Sequence, residues 1–206
     1  MSTVEVVHRH VLTALLRGDV KPGEWLRQDD LAAELGVSKV PVREALQRLA
    51  AEGLVTFESN RGVVVRMLTA DGAEEIYALR RAIEPVLLAR SVERLTIVDL
   101  AEAELALADT DASVGEANWR FHEALYAGSG WERGITLVGR LHAAVAPYVE
   151  LYTTGLRASA RSSAQHRKLL GHCRAGRTVE AVGLLELHLA EAAAALVAHL
   201  RTAGMD

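Results

Sequence analysis

Histidine is the residue type whose placement in this sequence most invites chemistry. Asn118 and His122 stand one helical turn apart and share a face with Phe121 and Leu125. His166 lies beside Leu169 and Leu170, and His188 has Leu184, Leu185 and Ala192 as neighbours at helical spacing. All four polar side chains are thus directed toward an apolar interior, where an unpaired polar group is costly. Three imidazoles and one amide oxygen suit a divalent transition metal, and binding one would remove that cost. Spacing alone leaves open that each is a core histidine satisfied within the protein. The others, His8, His10, His142, His172 and His199, read as ordinary. Arg80 falls in phase with Ile76, Ile83 and Leu87 on the apolar side of its helix, where it can pair with Glu84 four residues on.

A second group of residues suits nucleic acid. After Ser38, the apolar residues Val42, Ala45, Leu46 and Leu49 recur at helical spacing and can dock on preceding helices. The opposite face presents Val40, Arg43, Glu44 and Gln47, with Lys39 and Pro41 at its start. Arg43 can make a bidentate contact to guanine, and Val40 can pack on a thymine methyl. Ser38 and the first amides of the helix suit a phosphate. Farther on, Arg61 and Gly62 sit in a turn, where Gly62 would allow close approach to DNA. For an isolated amphipathic helix the competing reading is a merely solvated face.

The elements that must position these groups are legible in the pattern. An amphipathic helix is expected over 3–16, then a turn at Gly18 and Pro22-Gly23. A short helix capped by Asp29 ends at Gly36, and a second, capped by Ser38, runs over 39–51 and stops at Gly53. Their tight corner makes a helix-turn-helix, and β-prone runs at 54–57 and 63–66 around Ser59-Asn60-Arg61-Gly62 make a wing. The expected organisation is a winged helix-turn-helix over 1–68, a linker over 69–73 and a helical domain over 74–206. Helices are expected there at 73–94, 98–108, 112–127, 131–152, 159–175 and 179–202, with Pro85 bending the first or starting a new turn. The fold class is mainly α, with one small β-hairpin and an antiparallel all-α bundle.

Composition agrees. Of 206 residues half are apolar and only 4% aromatic, which favours helix-on-helix packing. With a formal charge of −4, any DNA surface must be a local patch. Cys173 is the single cysteine, so a reducing compartment fits. Glu5, His8, Arg9 and His10 interrupt any signal-peptide core, and Glu186, His188, Glu191 and His199 break the C-terminal Ala/Leu tract. A soluble cytoplasmic protein without a membrane partner is expected.

The run 15–65 resembles the winged helix-turn-helix of the GntR family of bacterial regulators. The resemblance rests on Pro22-Gly23-Glu24, Leu31-Ala32, Gly36-Val37-Ser38, Pro41-Val42-Arg43-Glu44-Ala45-Leu46, Glu52-Gly53-Leu54 and Asn60-Arg61-Gly62. It implies that Ser38, Lys39, Val40 and Arg43 contact DNA and that the Arg61-Gly62 wing enters the minor groove. Lys39 stands where many members carry arginine, replacing a fork by a point charge. Farther on, IYALRRAIEPVLLARSV (76–92), NWRFHEALYAGSG (118–130), QHRKLL and LLELHL resemble the FCD ligand-binding domain of the FadR-type branch. That resemblance implies a metal on Asn118, His122, His166 and His188, zinc first and nickel or manganese as alternatives. It also implies a small-molecule effector held by Arg80. Asparagine in place of the commoner aspartate leaves more positive charge on the site and favours a carboxylate effector. The whole implies a homodimeric repressor of a palindromic operator in double-stranded DNA, controlled by that effector. The alternatives are a metal-dependent enzyme, against which no general-base motif accompanies the histidines, and a regulator whose metal is purely structural.

Overall fold

The computed structural model describes residues 2–17, 19–58, 61–153 and 156–205, with backbone alone at 16–17, 149–153 and 156–159. Helix α1 (Thr3–Arg17) buries Val7, Val11 and Leu15, the stripe its spacing dictates. Helix α2 (Gln28–Leu35) ends at Gly36, whose φ of 64° lies in the left-handed region that glycine enters without strain. The chain there turns sharply into α3 (Lys39–Ala51), whose Val42, Ala45, Leu46 and Leu49 are each 0% exposed.

Two expected caps differ. Arg27, not Asp29, holds the N-cap position of α2, because the helix starts at Gln28; Asp29 lies in the first turn, where its charge meets the helix dipole. Ser38 does hold the N-cap position of α3, but its side chain makes no capping hydrogen bond among the described residues.

The wing gains a strand. β2 (Val55–Glu58) and β3 (Gly62–Val65) form the expected antiparallel pair, and β1 (Trp25–Leu26) joins the other edge of β3 to give the order β1-β3-β2. Trp25 stands opposite Val64 and Leu26 opposite Val63. A two-residue strand carries no alternation to read. Of the expected turns, Gly18, Ser59 and Asn60 lie outside the described residues. Val55, Val63 and Val65 turn inward and close the first core against α1 and α3.

The expected linker over 69–73 is instead the start of a helix. Thr69 takes the N-cap position of α4 (Ala70–Ser91) and its hydroxyl accepts from the Gly72 amide at 3.1 Å. Ala70 and Ala73 are buried in the first turn, so small polar-looking sequence there is packed structure. The connection is the short stretch 66–69, outside helix and strand, whose Leu68 amide donates to the Tyr148 hydroxyl at 2.7 Å. Helix α4 runs unbroken through Pro85 and passes into a single 3-10 turn, Val92–Arg94. Then follow α5 (Ile97–Ala108), α6 (Val114–Ala127), α7 (Glu132–Thr153), α8 (Leu156–Arg174) and α9 (Thr178–Thr202).

These helices enclose a second core, with α4 packed along α9 and α5 along α6. Helix α9 is long and apolar enough to cross a membrane by length and composition; here Leu185, Leu189, Leu196 and Leu200 are buried in the bundle core.

Helix α7 belongs to both halves of the molecule. Ala143, 1% exposed, is part of the first core. Arg140 reaches Glu52 at 3.2 Å, and Glu52 also holds His8 at 2.8 Å. Between Arg140 and Ala143, His142 points the other way, into the bundle.

Candidate functional site

Inside the bundle, α6, α8 and α9 bring His122, His166 and His188 together, with their ligand atoms all within 4.8 Å of one another. They are 0%, 7% and 7% exposed. Each sits on the buried stripe of its own helix, as its apolar neighbours required. Asn118, half-buried one turn before His122, lines the adjoining cavity of about 500 Å³ together with Arg80, His142, His166 and His188.

The hydrogen bonds determine which ring nitrogens are bare. The Tyr126 hydroxyl donates to Glu84 Oε2 at 2.5 Å. Its oxygen is then left to accept from His122 Nδ1, 3.2 Å away, so the His122 hydrogen resides on Nδ1. His122 Nε2 is consequently bare; it is also fully buried with no hydrogen-bond partner among the described residues. By the same reasoning His188 Nδ1 donates to Gln165 Oε1 at 2.9 Å, which bares its Nε2. That atom lies 3.2 Å from His166 Nε2. Two nitrogens bound to one transition metal sit roughly 3.0–3.4 Å apart, given bonds of about 2.1 Å. An orphaned bare nitrogen beside a facing pair is what a metal ion requires. The histidines fit one.

Burial and the neighbouring imidazoles hold His122 and His166 well below the ordinary histidine range. Burial and the Arg80 charge push His142 and His188 down to about 4. All four rings are therefore neutral, the form that ligates metal. In metal-free protein this has a consequence for stability. The unfolded chain takes up protons below pH ~6.5 while the folded chain does not until about pH 4, so folding weakens as pH falls through that window. Urea denaturation in chelator at pH 7 and pH 5 is expected to show a loss of roughly 2 kcal/mol for each of His142 and His188; equal midpoints would contradict their buried neutrality.

Arg80 makes the pair with Glu84 and also lines the cavity. Its Nε donates to Glu84 Oε1 at 2.6 Å, its Nη2 lies 2.7 Å from His142 Nε2, and its side chain lines the cavity. Burial alone would raise the Glu84 carboxyl, but the Arg80 charge beside it brings it down to about 2. The pair is a buried, ionised unit.

Sequence reasoning missed His142 and Tyr126. His142 was read as ordinary, yet it is 3% exposed and bonds to Arg80. Val138 and Val145, four residues before and three after it, are buried, so the helical stripe was available as a signal.

On the other half of the molecule the outward face of α3 is open. Val40 is 67% exposed, and Lys39, Arg43, Glu44 and Gln47 are exposed too, whereas Pro41 is half-buried. Lys39 makes a surface ion pair with Asp29 at 2.7 Å, a contact weak enough for a phosphate to replace. Arg61 and Gly62 are exposed at the wing, Gly62 with a φ of 115° that a side chain would strain.

Comparison with known proteins agrees with both halves. Residues 3–65 match the gntR family of bacterial regulatory proteins, and residues 75–191 match the FCD domain. The HTH-type transcriptional regulator YdhC of Bacillus subtilis (strain 168) is 35% identical over 120 residues, 54% of each chain. The chain spans about half the length of the curated relatives it matches first. A solved transcriptional regulator GntR from Rhodococcus sp. RHA1 superimposes with a TM-score of 0.79 at 28% identity, over 96% of this chain and 99% of that one. McbR/YncC of E. coli shares the fold, with a TM-score of 0.84 over 97% and 99% of the chains at 23% identity. The relatives are transcription regulators and not enzymes. The chain belongs to the GntR family of bacterial transcription regulators, in the branch that joins the winged helix-turn-helix to an FCD domain.

Proposed function

We propose that the chain is a homodimeric repressor that binds an inverted-repeat operator and releases it when a carboxylate-bearing effector enters the helical bundle. The observation that carries the DNA half is the open face of α3. Its inner stripe is sealed in the core, while Val40, Arg43 and Gln47 project to solvent beside the wing. In that orientation Arg43 reads a base edge, Ser38, Lys39 and Pro41 bring the helix start to the phosphates, and Arg61 with Gly62 lies against the minor groove. Two copies related by a two-fold axis place two such helices in successive major grooves.

In the bundle His122, His166 and His188 hold the metal, zinc being the ion their three nitrogens suit best, with nickel or manganese as alternatives. Asn118, one helical turn before His122, lines the same cavity as His166 and His188. A bound divalent cation supplies excess positive charge at the cavity floor, because the imidazoles are neutral and Glu84 already balances Arg80. That charge favours an anionic effector, and the adjoining cavity supports an effector role over a purely structural one. Coupling would run through α7, which faces the cavity with His142 and the DNA-binding half with Arg140 and Ala143. The effector switches DNA binding only insofar as it prefers one placement of α7.

The test is selection of duplexes from a random library at moderate salt, followed by titration of the winning sequence. Enrichment of an inverted repeat is expected, and Arg43→Ala should weaken it by roughly 1–3 kcal/mol while relaxing preference at one position of each half-site. A library that returns no shared sequence would refute the reading.

A further inference from the structure

We infer that Asn118 gives its carbonyl oxygen to His142 and turns its amide N–H groups to the ligand bound beside the metal, in place of ligating the metal itself. The inference rests on the metal-site reading above, and it follows from the order of donors along one buried chain of contacts.

The chain starts at Arg80, which cannot turn because Glu84 Oε1 holds its Nε at 2.6 Å. Its Nη2 faces His142 Nε2 at 2.7 Å. A guanidinium only donates, so His142 Nε2 accepts and carries no hydrogen. The neutral ring then has its hydrogen on Nδ1, which makes Nδ1 a donor. That donor faces the Asn118 carboxamide, whose Nδ2 is placed 3.4 Å from it. Two donors cannot share a bond. A half-turn about the terminal torsion, between two ends of nearly equal size, sets Oδ1 against His142 and resolves the conflict.

The oxygen is the one atom of this side chain able to bind a metal, and His142 has taken it. The amide nitrogen is what remains for the cavity that Asn118 lines. An aspartate here would serve both neighbours, accepting from His142 with one oxygen and ligating with the other. Asparagine is therefore a different group and not a weaker ligand: a hydrogen-bond donor at the edge of the metal's open positions. Its match is an oxyanion that coordinates through one oxygen and accepts from Asn118 through a second, as a carboxylate does.

Two titrations test this: zinc affinity by competition with a chromophoric chelator, and acetate binding to the Co2+-loaded protein followed in its visible d–d bands. Asn118→Ala should leave zinc affinity within about threefold of wild type, while His122→Ala lowers it by at least about 100-fold. Asn118→Asp should tighten zinc by about tenfold or more. Acetate affinity should fall about 2- to 12-fold in Asn118→Ala, the worth of one hydrogen bond, and further in Asn118→Asp. If Asn118→Ala loses zinc as severely as His122→Ala, Asn118 is a ligand and this inference alone is overturned. It is equally overturned if acetate binds Asn118→Ala as it binds wild type. Should His122→Ala retain wild-type zinc affinity, the metal-site reading fails and takes the inference with it.

Discussion

Replacing Glu84 with alanine is expected to cost about 3–5 kcal/mol of folding stability, a large share of the roughly 5–15 kcal/mol that holds a typical domain together. Glu84 is 0% exposed and Arg80 2%. The substitution leaves a guanidinium in the bundle core without a counter-charge, and it removes the acceptor of the Tyr126 hydroxyl. At about 2–4 °C per kcal/mol for a chain of this size, the thermal midpoint should drop by roughly 6–20 °C. Two companion variants identify the cause. Glu84→Gln keeps one acceptor oxygen, enough for Arg80 or Tyr126 but not for both, and loses the charge, so it should fall between wild type and alanine. The double variant Arg80→Met, Glu84→Leu removes both charges and should recover most of the loss, because a buried ion pair and an apolar pair of similar volume differ little. A double variant as unstable as Glu84→Ala would show that the damage comes from packing and not from the orphaned charge. The exposed pair Arg174–Glu104 gives the contrast: removing it should cost under about 1 kcal/mol.

The second large effect is expected from metal. Zinc at about a thousand times its dissociation constant should stabilise the folded chain by about 4 kcal/mol, since the unfolded chain has no assembled site. Thermal denaturation with zinc against chelator should therefore show a rise of roughly 8–16 °C. His188→Ala takes away the nitrogen facing His166 at 3.2 Å and should abolish most of that rise. His10, which pairs with Glu34 at the surface, serves as the control, and His10→Ala should keep the rise intact. An equal zinc response in both variants would move the metal from the bundle to the surface.

Helix α7 spans both halves of the molecule. It offers His142 to the cavity and, from neighbouring positions, Ala143 to the first core and Arg140 to Glu52. A helix that is packed on both sides transmits a displacement as a body, because close-packed cores deform little.

The sequence by itself determined whatever depends on local pattern. The helix limits in the bundle follow from 3.6-residue periodicity and punctuating glycines, and they fall within a few residues of the structure. The inner stripe of α3 and the apolar neighbours of His122, His166 and His188 likewise settle which way each side chain points. Tertiary structure decided what depends on partners far along the chain. Strand β1 exists only because β3, far along the chain, supplies its hydrogen bonds, pairing Trp25 with Val64 and Leu26 with Val63. Thr69 looked like a linker residue, and its capping bond with the packing of Ala70 and Ala73 makes it the start of α4. Above all, His142 looked like any other histidine until Arg80, 62 positions earlier, met its ring. Which nitrogen of a ring is bare is a property of its neighbours, and no spacing within one helix can state it.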